Sequence, residues 1–244
     1  MIDRPHEAAA AALPDPPADA EGPSIGPRGV LEREEREVKD AVLRMGSRVE
    51  HQIGTATRAF LSRDHDLAES IRAADAEINE MQREVGERIT VAIATQAPVA
   101  RDLRLLLALN HVASELERIG DHAVGIARQV RWLSRDDVPL PAADEISRMG
   151  TLAGELVTGI LRALVDTDVE RARRVAAMDD EIDHGYATVF TAAVQEMRAN
   201  PEAVERGART VLVAHWLERI GDRVTNIAED VVLLETGQVE DLNR

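Results

Sequence analysis

The six residues Leu116–Asp121, Leu-Glu-Arg-Ile-Gly-Asp, recur unchanged at Leu217–Asp222. Each copy lies in a run of apolar residues with helical spacing, which predicts an internal duplication whose two copies have the same role. Each copy also places a glutamate and an aspartate four residues apart and a glycine in mid-helix. Because a helical glycine costs about 1 kcal/mol relative to alanine, we expect a neighbouring helix or a cation to approach closely at this point.

The composition is that of an acidic protein with an aliphatic core. Of the 244 residues, 44% are hydrophobic but only 2% are aromatic, as is common where helix packs on helix. The 45 acidic and 29 basic residues give a formal charge of −16. This charge argues against nucleic acid as a ligand and against adhesion to an anionic membrane surface.

Four further absences limit the classes of function. The chain has no cysteine, which excludes thiolate metal sites and disulfides. No apolar stretch approaches the roughly 20 residues of a membrane span, and the N-terminus lacks the pattern of a secretion signal. We therefore expect a cytoplasmic protein without direct membrane insertion. No nucleophile elbow, phosphate-binding glycine loop or paired nucleophile and base is present, which predicts a non-enzymatic protein.

Apolar residues recur at intervals of three and four through six segments, which predicts six long helices. The first two segments meet at the polar break Ser62–Asp64, and Pro98 is predicted to open the third helix in a favoured first-turn position. The second half repeats this plan, with helices predicted near 142–166, 168–199 and from Pro201 onward. The sequence therefore predicts an all-α fold of two tandem three-helix bundles.

Breaks in the pattern set the predicted domain limits. Residues 1–27 are rich in proline and contain an alanine run, a composition that predicts a disordered tail. The first bundle is predicted to span 28–136 and the second 137–237, with the boundary at the Asp136–Pro141 break. Residues 238–244 are predicted to form a C-terminal tail.

Acidic pairs on two helices of each repeat form candidate metal sites. The two acids of each Leu-Glu-Arg-Ile-Gly-Asp segment lie one helical turn apart and off the apolar seam, on the outward side. A second pair with the same spacing lies on the preceding helix of each repeat. If these helices are neighbours, each repeat gathers two pairs. The candidate metal ligands are Asp75, Asn79, Glu117 and Asp121 in the first repeat and Asp179, Asp183, Glu218 and Asp222 in the second.

The chemistry of these ligands limits the choice of metal. Oxygen ligands suit magnesium, calcium, manganese and iron, whereas zinc usually has histidine or thiolate ligands. His215, three residues before Glu218, could add a nitrogen ligand in the second repeat. The plain alternative is that the acids are solvated surface residues paired with Arg118 or Arg219, at about 0.3–0.5 kcal/mol each. The duplication, the helical glycine and the second pair in each repeat favour the metal site.

These segments resemble the PhoU family of bacterial phosphate-signalling regulators. The resemblance covers about residues 30–237 and includes both Leu-Glu-Arg-Ile-Gly-Asp segments. It also includes Gln96–Arg104, which is similar to the stretch that leads into the third helix in that family.

This resemblance implies surface metal clusters bound through acid-x-x-x-Asp pairs. The ions implied are divalent or transition metals, among them iron, manganese, zinc and magnesium. The pattern matches Glu117/Asp121, Glu218/Asp222 and Asp179/Asp183, whereas Asp75/Asn79 departs from it by an amide. Gly125, where the second repeat has Asn226, is a further departure that argues against a full cluster in the first repeat.

The resemblance also implies a non-enzymatic adaptor between a phosphate ABC transporter ATPase and a sensor histidine kinase, which keeps the phosphate-starvation response off while phosphate is plentiful. We expect the protein to be a homodimer. Two alternatives from other classes stay open. A carboxylate-bridged di-iron oxidase or metal-storage bundle would bury its carboxylates in the core, and a scaffolding coiled coil would bind no metal.

Overall fold

The computed structural model describes residues 27–134 and 138–242, and every regular element in these ranges is a helix, as predicted. The predicted tail lies outside the described residues apart from Pro27, as do residues 135–137 of the predicted break and residues 243–244. The domain limits themselves stay a prediction. The elements are α1 (Pro27–Ser62), α2 (His65–Gln96), α3 (Arg101–Val130), α4 (Ala143–Asp166), α5 (Val169–Ala177), α6 (Asp179–Ala199), a 3₁₀ turn (Pro201–Ala203) and α7 (Val204–Thr236).

The helices form two bundles in tandem. α1, α2 and α3 all pack on one another, and α7 packs on α4, α5 and α6. The core is the aliphatic seam read from the sequence. Its members on α1 and most of its members on α3 and α7 are fully buried, whereas Leu105 and Leu234 at the ends of the seam are partly buried. None of the helices in the described ranges is long and apolar enough to span a membrane. The predicted arrangement of two three-helix bundles is confirmed.

Matching N-caps mark the duplication. The Asp64 carboxylate accepts the backbone N–H groups of Asp66 and Leu67 at 3.1 and 2.9 Å at the start of α2. The Asp168 carboxylate accepts the N–H of Arg171 at 2.9 Å at the start of α5. Asp64 and Asp168 are 104 residues apart, since 168 − 64 = 104, and each cap contributes about 1 kcal/mol to helix stability.

The predicted fifth helix is divided at Met178 into α5 and α6. The N–H of Met178 bonds to the carbonyl of Val175, and the N–H of Glu181 bonds to the carbonyl of Met178, both at 3.1 Å. These bonds span three residues rather than four, so the α-helical pattern is interrupted by a tighter turn. The periodicity missed the break because Val175, Met178 and Ile182 keep helical spacing across it.

The prediction that Pro98 opens the third helix is wrong by three residues. α2 ends at Ala97, which has the left-handed conformation (φ 47°, ψ 55°) and whose N–H bonds to the carbonyl of Ile93. Ala100 also has a positive φ, of 43°, and α3 starts at Arg101. Pro98 therefore lies in a tight connection, where its fixed φ stiffens the loop instead of starting the helix.

The two bundles pack along an extensive contact between α3 and α7, which run antiparallel, and along a second contact between α1 and α4. Gly125 of α3 lies directly under the indole of Trp216 from α7, since a Cβ placed on Gly125 would come within 2.7 Å of that ring. The departure at Gly125 is therefore explained by bundle packing. Whether the first repeat holds a full metal cluster stays a prediction.

The end of the predicted C-terminal tail folds back onto the second bundle. The guanidinium of Arg173 donates to the Glu240 carboxylate at 2.7 Å. The N–H of Leu242 donates to Glu229 Oε1 at 3.0 Å, and the Leu242 side chain packs against the core. Residues 238–242 thus lie across α5 and α7.

Candidate metal centres

The structure gathers the predicted ligands into two groups, one in each repeat. Asp75 and Asn79 of α2 lie beside Glu117 and Asp121 of α3. The pKa of Asp75 and that of Glu117 are both raised, first by burial and then by the charge of the nearby Asp121. We call this set the first acidic group. The second acidic group is the equivalent set in the groove between α6 and α7, namely Asp179, Asp183, Glu218 and Asp222.

The first acidic group contains one partly satisfied carboxylate. The amide of Asn79 donates to Asp75 Oδ2 at 3.4 Å, whereas Asp75 Oδ1 is buried and has no hydrogen-bond partner in the described ranges. The carbonyl oxygen of the Gln52 side chain, from α1, lies beside the same point above Gly120 and is likewise buried and unpartnered. Sequence reasoning missed Gln52, although it is a polar residue next to the buried α1 seam.

The second acidic group is more crowded. Asp179 is only 9% exposed, and its Oδ1 has no hydrogen-bond partner within the ranges described. It lies directly against the backbone of Gly221, where an added Cβ would overlap the carboxylate and come within 3.0 Å of Asp179 Cγ. The expectation of a close approach at the helical glycine is confirmed for Gly221, where the approaching group is an aspartate from the neighbouring helix.

Burial and mutual repulsion shift the acids of both groups. The pKa of Asp179 is raised to about 7, first by burial and then by the charges of Asp183 and Asp222. Burial followed by the charge of Asp222 also raises the pKa of Asp183 and of Glu218. In the first group, burial is again the leading cause of the raised pKa of Asp75 and Glu117. Each group therefore concentrates negative charge where water screens it poorly.

The prediction that the acid pairs face outward is only partly right. Asp121 and Asp183 are exposed, but Glu117, Glu218 and Asp222 are half-buried and Asp179 is buried. The cause is the groove between two neighbouring helices, which covers side chains that a single helix would leave in solvent. The apolar spacing found the correct face of each helix but could not show how closely the next helix approaches it.

The two acidic groups differ in the ion pairs that they form with neighbouring basic residues. Arg219 Nη1 lies 2.9 Å from Asp222 Oδ2, and His215 Nδ1 lies 3.3 Å from Glu218 Oε2. Arg118 does not pair with Glu117; its nearest carboxylate is Glu115, at 3.9 Å. The alternative in which the acids are surface residues paired with Arg118 or Arg219 therefore accounts for one contact in the second group and, within the described chain, for none in the first.

The side-chain oxygens of each acidic group are suitable ligands for a hard cation, although they do not converge on a single point. Within residues 27–134 and 138–242, no three His, Asp or Glu side chains converge closely enough to hold one ion as they stand. The buried, unpartnered oxygens of Asp75 and Asp179 and the raised pKa values both indicate groups that a cation would stabilise. Oxygen donors of this type are the ligands that magnesium, manganese and iron accept.

A polar network between the bundles was not predicted. Glu115 of α3 is 3% exposed and accepts a hydrogen bond from the Asn226 amide at 3.1 Å, with Arg223 Nη1 at 3.5 Å. One turn away, His111 Nδ1 lies 2.6 Å from Asp230 Oδ2, and the hydrogen bond to that carboxylate raises the pKa of His111. The sequence gives no signal for these contacts because the partners are more than 100 residues apart.

Fold and site together define a duplicated all-helical protein with one acidic group, a cluster of four candidate ligand residues, in each repeat. The chain belongs to the PhoU family, because the family model for the PhoU domain matches residues 42–130 and 146–231. The resemblance read from the sequence is thereby confirmed.

Individual relatives agree with this assignment. The chain is 34% identical over 220 residues to the phosphate-specific transport system accessory protein PhoU homolog of Clostridium acetobutylicum, with 88% of this chain and 99% of the relative covered. The crystal structure of PhoU from Pseudomonas aeruginosa superimposes with a TM-score of 0.80 at 33% identity, covering 85% of this chain and 100% of that one.

A second solved structure gives the same result. The phosphate transport system regulatory protein PhoU from Streptococcus pneumoniae superimposes with a TM-score of 0.80 at 29% identity, covering 86% of this chain and 99% of that one. These relatives are named as accessory and regulatory proteins. The chain is accordingly a non-enzymatic member of the family.

Proposed function

We propose that this protein is a metal-binding adaptor in the cytoplasm that regulates phosphate uptake and represses the phosphate-starvation response. In this proposal it links the ATPase of a phosphate ABC transporter to a sensor histidine kinase. The relatives' printed roles in phosphate-specific transport support the regulatory part. The observation that carries the metal-binding part is the pair of acidic groups in a chain of this family.

The residues that would hold metal are those of the first and second acidic groups. A bound cation would supply the positive charge that these crowded carboxylates lack and would hold α2 against α3 and α6 against α7. The surface around each group would then be less acidic and more rigid. The metal would thus have a structural role, because it would stabilise the surface that contacts the partner proteins. A homodimer stays a prediction, which light scattering of the purified protein can check.

The di-iron alternative fits this arrangement less well. Each acidic group lies in a groove between two helices, whereas the bundle seams of α3 and α7 are apolar. Di-iron bundles gather carboxylates from four helices in their cores. The scaffolding alternative would leave the buried, unpartnered oxygens of Asp75 and Asp179 without a compensating charge.

Deletion of the gene tests the regulatory role. In phosphate-replete medium we expect the deletion strain to express phosphate-starvation genes constitutively, and a pull-down from wild-type cells to recover the transporter ATPase and a histidine kinase. Reporter fusions and mass spectrometry are the measurements. A deletion strain with normally repressed phosphate genes and abnormal iron handling would instead support the oxidase or storage alternative.

Metal affinity is expected to differ between the two groups. The second group has four carboxylates with His215 nearby, whereas Asn79 replaces an acid in the first. The double variant Glu218→Ala with Asp222→Ala should therefore remove more bound metal than Glu117→Ala with Asp121→Ala. Elemental analysis and calorimetry after reconstitution with manganese or iron measure this. Equal losses or the reverse order would contradict the argument from ligand count, and absence of binding in the wild type would refute the metal sites.

A further inference from the structure

A basic cavity lies between α2 and the end of α3, on the side of the first acidic group that faces the α1–α2 turn. Its volume is about 550 Å³. His65 and Arg72 line it from α2, and Arg128, Arg131 and Trp132 line it from the end of α3. Such a concentration of arginine is unexpected in a chain with a net charge of −16.

The arginines of this basic cavity are poorly neutralised. Arg72 pairs with Glu69 at 3.1 Å, and Glu69 is the only carboxylate among the lining residues. Within the described ranges Arg128 and Arg131 have no carboxylate within 4 Å, and Arg128 acts on Asp75 only at longer range. Trp132 is 54% exposed, and its ring lies 5.8 Å from the guanidinium of Arg131 and 5.1 Å from that of Arg209.

The equivalent surface of the second repeat is covered. The capping aspartates relate α2 to α5 by 104 residues, so Glu69 corresponds to Arg173 (69 + 104 = 173). The repeated segments relate α3 to α7 by 101 residues, so Arg128 corresponds to Glu229 (128 + 101 = 229). Arg173 and Glu229 are the two residues that bind residues 238–242, through Glu240 and through the N–H of Leu242. The charge is reversed at both positions between the repeats.

We propose that the basic cavity of the first repeat binds a short acidic peptide segment of a partner protein, at the position where the second repeat holds the chain's own C-terminal segment. The second repeat shows that this surface accepts an extended segment. Because the charges are reversed in the first repeat, the carboxylates of a peptide would contact Arg128 at the end of α3 rather than α2, where Glu69 takes the place of Arg173. In the first repeat the arginines select carboxylates, and the exposed Trp132 indole offers apolar surface that an inorganic anion would not use. This inference does not depend on metal binding.

A labelled peptide tests the proposal on the full-length chain. The probe is a fluorescein-labelled copy of residues 236–242, Thr-Gly-Gln-Val-Glu-Asp-Leu, and the control peptide has glutamine and asparagine in place of its two acids. By fluorescence anisotropy we expect the acidic peptide to bind about tenfold more tightly than the neutral one, and binding to weaken between about 50 and 200 mM salt.

Matched variants locate the site. Arg128→Gln with Arg131→Gln should weaken peptide binding at least about tenfold, whereas Arg101→Gln with Arg104→Gln removes the same charge from the opposite end of α3 and should leave binding unchanged. Trp132→Ala should weaken peptide binding as well. Circular dichroism and thermal melting check that each variant is folded.

Three outcomes would overturn the proposal. Peptide binding that is unaffected by Arg128→Gln with Arg131→Gln would place the peptide elsewhere, for instance on the second repeat. Binding of inorganic phosphate that depends on these arginines, without peptide binding, would make the cavity a small-anion site. Binding of neither probe would leave the cavity without the proposed role.

Discussion

Arg223→Ala is expected to lower the free energy of unfolding by about 3 kcal/mol, because it would leave the buried Glu115 carboxylate without its principal countercharge. Glu115 is 3% exposed, and after the change it would keep the Asn226 amide at 3.1 Å, the His111 imidazole at 3.6 Å and the half-exposed Arg118 at 3.9 Å. For a chain of this size each kcal/mol corresponds to about 2–4 °C in melting temperature. Urea denaturation and differential scanning calorimetry are the measurements.

Arg219→Ala is the matched control, since Arg219 lies one turn away on α7. Its ion pair with Asp222 is partly exposed, so its loss should cost at most about 1 kcal/mol. Adding Glu115→Gln to Arg223→Ala should recover much of the lost stability, because the uncompensated charge is then absent. A cost of less than about 1 kcal/mol for Arg223→Ala would show that the contact between the bundles does not depend on this ion pair.

Asp179→Asn should stabilise the metal-free protein at pH 8 by about 2–4 kcal/mol while weakening metal binding. The pKa of Asp179 is raised to about 7 from 3.8, and each pKa unit corresponds to about 1.4 kcal/mol. The asparagine side chain has nearly the same shape but no charge, so it removes the cost of burying a charge and the repulsion from Asp183 and Asp222. Denaturation in the presence of a chelator measures the gain.

The pH dependence follows from the direction of the shift. Between the unfolded pKa of 3.8 and the folded pKa of about 7, the folded protein binds more protons than the unfolded chain, so stability falls as pH rises. The metal-free wild type should therefore lose about 2–3 kcal/mol from pH 5 to pH 8 through Asp179, and Asp179→Asn should flatten this slope.

Two further measurements complete this test. Asp40→Asn, which removes an exposed charge on α1, should leave the slope unchanged. Added manganese should restore the stability of the wild type at pH 8 by linkage, but not that of Asp179→Asn. An equally steep slope in Asp179→Asn would show that the burial of this carboxylate does not control the pH response.

The sequence by itself determined the duplication, the helical class and the composition of the core. Apolar spacing of three and four residues is a local property of the chain, so it predicted the helices and their buried faces without knowledge of packing. The same spacing placed the acid pairs one turn apart on defined faces. The glycine at 221 was correctly predicted to mark a close approach, because a helical glycine is unfavourable unless it provides room. At Gly120 an added Cβ would make only ordinary contacts, the nearest at 3.4 Å.

Only the tertiary structure decided how closely those faces meet. Asp179 follows directly after the break at Met178 and lies buried in the groove against Gly221. The sequence did not reveal the break, because the apolar spacing continues across it. The packing of Trp216 on Gly125 and the burial of Glu115 beside Arg223 depend on how the two bundles dock. These pairs are separated by about 100 residues, so their contacts arise from the packing of whole helices, which local periodicity does not encode.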